Sequence, residues 1–173
     1  MELVRPTMEH KKAIMEAREW LRKQGNEEFA GCVGLEDTEN YEEWLDTESM
    51  LKRKYGVQYV PSVVYLGIED GKVVGVIDIR AFLSDFLYNY GGSIGYTIFP
   101  PYRGKGYGKK MLEKMLELCR ENGMDKVLLC CDEANVISRR TMEGCGGILE
   151  NIVADPANMT TSGRICRYWI YLS

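Results

Sequence analysis

The sequence predicts the mixed α/β class, in its α+β form: a central twisted sheet flanked by helices. Three observations lead there. Asp70-Gly71 separates two β-rich runs, Ser62–Ile68 and Val73–Ala81, and an Asp-Gly pair in that position is a strong hairpin signal. Met111, Leu112, Met115, Leu116 and Cys119 recur at helical spacing between two further β-rich runs, Ser93–Phe99 and Lys126–Asp132. That order reads as a strand-helix-strand crossover and predicts a parallel strand pair. No repeat, low-complexity tract or Pro/Gly/Ser-rich linker divides the 173 residues, so 1–173 reads as a single domain.

The elements follow in order. Glu2 to Arg5 reads as a short strand stopped by Pro6, and Thr7 as the N-cap of a helix that runs through Ile14, Trp20 and Leu21 to about Gln24. Gly25 ends it, and 26–40 looks irregular. Trp44, Leu45 and Leu51 mark the apolar face of a second helix over 41–55. After the hairpin comes an aromatic loop, Phe82 to Tyr90, then the crossover, whose helix spans Gly106 to Asn122. A helix from Asn135 to Glu143 is broken by Gly144, Gly146 and Gly147, and strands Ile148–Ala154 and Arg164–Leu172 close the chain.

Composition narrows the function classes. Net charge is −4, with 45% hydrophobic and 28% charged residues, which fits a folded soluble domain and opposes nucleic acid or anionic membrane as partners. Met1 to Arg5 lacks a basic stretch followed by an apolar one, and no run of about 18 apolar residues occurs, so the expectation is a cytoplasmic protein with no membrane partner. Six cysteines make no CxxC pair and the single histidine is His10, which argues against a metal site and against a Cys-His nucleophile. Reduced, inert thiols are expected instead.

The stretch that carries chemistry is Tyr102-Arg103-Gly104-Lys105-Gly106-Tyr107-Gly108-Lys109-Lys110, between a strand and an amphipathic helix. Glycines let successive N–H groups converge, the helix N-terminus adds its dipole, and four cations stand without an intervening acid. This is the chemistry of a phosphate-binding turn. A Walker A loop would need GxxxxGK followed by Ser or Thr, and a dinucleotide fingerprint GxGxxG; Gly104, Gly106 and Gly108 supply neither.

Arg103, Gly106 and Gly108 do form Arg-x-x-Gly-x-Gly. Here the sequence resembles the GNAT superfamily of acetyl-CoA-dependent N-acyltransferases, whose pyrophosphate loop reads Gln/Arg-x-x-Gly-x-Gly/Ala. The strand Ile94 to Ile98 before Pro100 is similar to the family's fourth strand, and Asn135 after Asp132 matches the Asn that bonds the pantetheine arm. Gly91 to Tyr96 and Arg167 to Ile170 are similar to a branch of small predicted acetyltransferases.

The resemblance implies a sheet of six or seven strands whose fourth and fifth splay apart, acetyl-CoA as cosubstrate, no metal, an amine acceptor, and often a homodimer. It places the pyrophosphate against Arg103, Gly104, Lys105, Gly106, Tyr107 and Gly108, the pantetheine against Asn135 and Ser138, and the thioester carbonyl against an N–H of Ile98 or Phe99. The implied reaction is acetyl transfer to a primary amine of a small molecule or peptide, directly in a ternary complex. Two departures stand out. Met142 occupies the register where many members place a proton-donating Tyr, and Ser93 a position where close relatives often carry His. Ser138 and Tyr96 are the candidates to replace the donor. Asp78, Asp85 and Asp132 are candidate bases, each with the alternative of being a turn or paired carboxylate. Glu36, Asp37, Glu39, Glu42, Glu43, Asp46 and Glu48, with Tyr41 and Trp44, make an acidic aromatic stretch that either attracts an amine or is a solvated helix face. The rival functions are a non-catalytic acyl-CoA-binding regulatory domain and an interaction module in which the glycine turn is structural.

Overall fold

The computed structural model describes residues 1–25, 29–56 and 59–173. Along them run β1 (Glu2–Val4), α1 (Lys11–Arg22), α2 (Tyr41–Leu45), α3 (Thr47–Tyr55), β2 (Ser62–Glu69), β3 (Lys72–Arg80), β4 (Ile94–Ile98), α4 (Tyr107–Glu121), β5 (Lys126–Asp132), α5 (Val136–Gly144), β6 (Ile148–Ala154) and β7 (Arg164–Tyr171). Among these residues the strands form two antiparallel sheets, one in the order β1-β2-β3-β4 and one in the order β5-β7-β6.

The hairpin forms as its sequence demands. Asp70 and Gly71 take φ of 50° and 70°, the left-handed pair that a tight two-residue turn requires. The expected parallel pair does not form. β4 and β5 share no ladder; Ser93 N–H donates to Leu128 O at 2.6 Å, Leu128 N–H donates to Ser93 Oγ at 3.1 Å, and a single bridge joins Gly92 to Leu129. Beyond that seam the strands part. Crossover length sets which strands neighbour each other, but a side chain of the first strand, not periodicity, makes half of this link.

Alternation along β3 and β4 divides the core. Val64, Leu66 and Val76 pack with Ile14, Leu21, Leu35 and Trp44 on one face. Ile77 and Ile94 pack on the other with Met111, Leu112, Met115 and, from the second sheet, Val127, Leu129 and Tyr168. One helix, α4, therefore underlies both sheets.

The helix expected over 41–55 is two helices. Asp46 leaves the helical region at φ −87°, ψ 64°, and its carboxylate caps α3 by accepting from Ser49 N–H at 3.3 Å. The expected irregular stretch 26–40 lies partly outside the described residues, and its described part is turns. Tyr41 and Trp44 are core residues rather than an exposed aromatic surface, bonding Thr7 O at 2.6 Å and Cys32 O at 2.7 Å. Their acidic neighbours cap and pair: Glu43 accepts from Glu39 N–H, and Glu42 pairs with Lys11 at 2.6 Å. All six cysteines are free thiols, and burial pushes Cys130 and Cys131 up to about 12. No helix among the described residues is long and apolar enough to cross a membrane.

Candidate active site

The glycine turn starts where β4 ends. Phe99 N–H donates to Val74 O at 2.9 Å, Pro100–Tyr102 makes one tight turn, and Gly104 and Gly106 follow at φ of 75° and 76°. An L side chain at either position would be strained. The first backbone bond of α4 runs from Lys110 N–H to Gly106 O at 3.3 Å, so the N–H groups of Tyr107, Gly108 and Lys109 lie ahead of the helical ladder. Such a cluster stands at the positive end of a 15-residue helix, the chemistry that suits an anion. A Cβ on Gly108 would sit 3.7 Å from Ile98 and 3.9 Å from Thr141, ordinary contact that leaves room for alanine.

The four cations of the turn do not act alike. Lys110 pairs with Glu69 at 2.6 Å, which raises its pKa, and Lys109 lies 3.7 Å from Glu113. Arg103 Nε donates to Ile98 O at 2.9 Å, tying the turn to the strand end, and Lys105 lies over the Tyr102 ring at 5.9 Å. The electrostatic concentration read from the sequence is thereby reduced by internal pairing.

The facing edges of β4 and β5 form no ladder with each other beyond the Ser93–Leu128 seam. Bonds from Arg80 N–H to Ser93 O and from Phe99 N–H to Val74 O set the β3–β4 register, so the alternate residues Tyr96 and Ile98 turn their N–H and C=O groups away from β3. Leu128 turns toward Ser93, and by the same alternation Cys130 faces the gap, whereas Asp132 O accepts from Asn135 N–H at 2.9 Å. Of the two expected thioester donors, the Phe99 N–H is therefore engaged by Val74, and its side chain is core. The Ile98 N–H faces the gap.

Side chains line the far side. Tyr96 Oη lies 3.1 Å from Ser138 Oγ, which links β4 to the first turn of α5. Burial pushes the Tyr96 phenol up to about 12, only partly offset by the Ser138 bond. Asn135 caps α5, its Oδ1 accepting from Ser138 N–H at 3.0 Å, so the amide NH2 is the group it can extend to a ligand. Met142 is buried in the core.

A family model described as the acetyltransferase (GNAT) family matches residues 30–146. The chain belongs to the GNAT family. It is an acetyltransferase of the GNAT type. No curated protein matches it. Among solved structures, a ribosomal L7/L12 alpha-N-protein acetyltransferase in complex with coenzyme A is 16% identical with a TM-score of 0.72, over 98% of this chain and 93% of that one. A putative acetyltransferase from Salmonella typhimurium with acetyl-CoA is 15% identical at 0.67, over 99% and 94%. A spermidine N-acetyltransferase variant from Vibrio cholerae is 15% identical at 0.66, over 100% and 96%.

Two of the three carboxylates considered as bases, Asp78 and Asp132, are engaged. Asp78, 1% exposed, accepts from Ser62 Oγ and from Gly95 N–H at 3.1 Å and pairs with Arg80 at 2.9 Å. Asp132 holds the β6–β7 connection, accepting from Thr161 N–H at 2.8 Å, Thr161 Oγ1 at 2.6 Å, Ser162 Oγ and Ala134 N–H at 2.9 Å. Burial alone would raise its pKa, but the Ser162 and Thr161 bonds outweigh that and hold it well below the usual carboxylate range. Asp85 is exposed in the aromatic loop, as are Phe82, Phe86 and Tyr88.

Three residues that the sequence did not single out for this role complete the surroundings. Ser93 closes the gap. Arg167, 4% exposed, donates from Nη2 to Tyr88 O at 2.8 Å and pairs with Glu150, anchoring the aromatic loop. Arg80 reaches the same loop from β3. Nothing in their local spacing marks them, because each acts across strands whose register is a tertiary property.

Proposed function

We propose that this acetyltransferase moves the acetyl group of acetyl-CoA to a primary amine of a small molecule or peptide, by direct attack in a ternary complex. The gap between β4 and β5 carries the reading: the backbone of Tyr96 and Cys130 and the N–H of Ile98 face it, as an extended, amide-bearing pantetheine arm needs, and it ends at a set of helix N–H groups suited to pyrophosphate. Solved neighbours named for a ribosomal protein α-amine and for spermidine both act on amines.

In this reading the Ile98 N–H polarises the thioester carbonyl, a donor whose loss typically costs ~3 kcal/mol of transition-state stabilisation. The amine lone pair attacks the carbonyl carbon, the C–N bond forms, the C–S bond breaks, and the CoA thiolate leaves. Tyr96, protonated at neutral pH, and Ser138 supply the hydrogen bond that stabilises the thiolate, which takes its proton from them or from water. A thiol of pKa about 8.5 needs little acid assistance, so Met142 is compatible with turnover. With Asp78 and Asp132 held by donors, solvent removes the amine proton.

Thiol release with a panel of primary amines, paired with acetyl-CoA calorimetry, tests this. Asn135→Ala should weaken acetyl-CoA binding about tenfold, the worth of one ligand hydrogen bond. Lys114→Ala, on the exposed face of α4, should leave it unchanged. Binding without turnover on any amine would favour a regulatory acyl-CoA-binding domain; no binding would overturn the site.

A further inference from the structure

The gap between β4 and β5 has a closed end, and that end must be held for the open part to keep its width. We propose that Arg80 is a positioning residue for acetyl transfer, the pin that fixes the closed end through Gly91, Gly92 and Ser93. The proposal rests on the acetyltransferase reading above.

Arg80 grips three consecutive carbonyls. Its backbone N–H donates to Ser93 O at 2.9 Å, and Nη1 donates to Gly91 O at 3.2 Å and Gly92 O at 3.1 Å. On its other side Nε pairs with Asp78 Oδ2 at 2.9 Å, and Asp78 Oδ1 in turn accepts from Gly95 N–H. Segment 91–95 is thus clasped from β3 by one ion pair. The clasp presses this segment against β5, where a Cβ on Gly92 would meet Leu128 O at 2.7 Å. It also lies flat over Gly95, whose Cβ would meet Asp78 Oδ1 at 2.8 Å and Arg80 Nη2 at 2.9 Å. The Ser93–Leu128 bonds form directly under it, and Tyr96 and Ile98 follow along the same strand.

The geometry requires a planar fork. Nε and Nη1 point to different partners from one rigid plane, whereas a lysine ammonium is a single point that reaches one partner set or the other. Charge alone therefore does not substitute. Among the described residues Arg80 holds Asp78, Gly91, Gly92 and Ser93, none of them in the Gly104–Lys109 turn or at Asn135, so the pin acts on where the thioester sits and not on how tightly the nucleotide end is held.

The test compares wild type, Arg80→Lys, Arg80→Met and Ser93→Ala by steady-state kinetics, acetyl-CoA calorimetry and amide hydrogen exchange. The expected result is a tenfold or greater fall in kcat for both Arg80 variants, an acetyl-CoA Kd within threefold of wild type, and faster exchange at Ser93 and Leu128. Ser93→Ala, which removes only the Oγ bond, should show the same split at smaller amplitude, and it carries the test if an Arg80 variant does not fold. Unchanged kcat, or kcat and Kd worsening in proportion, would overturn the pin. Wild-type protein that binds no acetyl-CoA would instead overturn the parent reading.

Discussion

Arg18 sits on the buried face of α1, one turn from both Ile14 and Leu21, and is 6% exposed. Among the described residues its Nε and Nη1 have no hydrogen-bond partner, and burial lowers its pKa. An uncompensated buried charge opposes folding, and apolar replacements of similar volume are often neutral or stabilising by about 1–4 kcal/mol. Arg18→Met should therefore hold or raise Tm by a few degrees in calorimetry; a fall would show that the guanidinium is held by a partner. Residues of this kind separate what the sequence shows from what it hides. Gly104 and Gly106 were legible because their chemistry is local, two backbone conformations in one turn, whereas Asn135 was singled out through the family resemblance and its cap is seen only in the structure. Arg80 and Ser93 were not, because an arginine at the end of a hairpin strand and a serine after two glycines gain meaning only when β3, β4 and β5 meet. The choice between the Ile98 and Phe99 donors stayed open in the sequence for the same reason, since strand alternation needs a register before it assigns an N–H to a side.

The connection between β6 and β7 is ordered by carboxylates at its two ends. Asp132 holds Thr161 and Ser162, while Asp155 accepts from Thr160 and Ala157. Because the folded Asp132 pKa is depressed, its stabilisation is present above the unfolded value of about 3.9 and is lost as pH falls through the folded one. Asp132→Asn should accordingly lower Tm at pH 7, and the gap to wild type should narrow progressively below pH 4; a gap independent of pH would remove the electrostatic account. Among elements, the hairpin and α4 were readable from period and turn chemistry alone. The break between α2 and α3 was masked because Trp44, Leu45 and Leu51 keep an apolar stripe across it, and only the capping geometry of Asp46 reveals the stop.

For the whole molecule, the two sheets share a helix and a core but scarcely any backbone bonding between them. An acetyl-CoA arm laid in the gap would bond both edges at once, so binding and folding are linked. At one hundred times Kd, acetyl-CoA should add about 2.7 kcal/mol, which for a chain of this size is roughly 5–10 °C in Tm. Differential scanning fluorimetry across a titration reads this directly, and a flat response would contradict binding to the folded state.

The Ser93–Leu128 seam also bears on how such a protein can change over time. In a continuous sheet, a one-residue slip in any strand propagates to every neighbour and turns core faces outward. Here a single residue pair and one adjacent bridge carry the backbone connection, so pairing errors or insertions in one half are not inherited by the other. The β5-β7-β6 unit is thus joined to the first sheet through side-chain packing far more than through backbone bonds. Changes in that unit that respect the contacts at 92–93 and the apolar underside against α4 leave the register of the first sheet as it is.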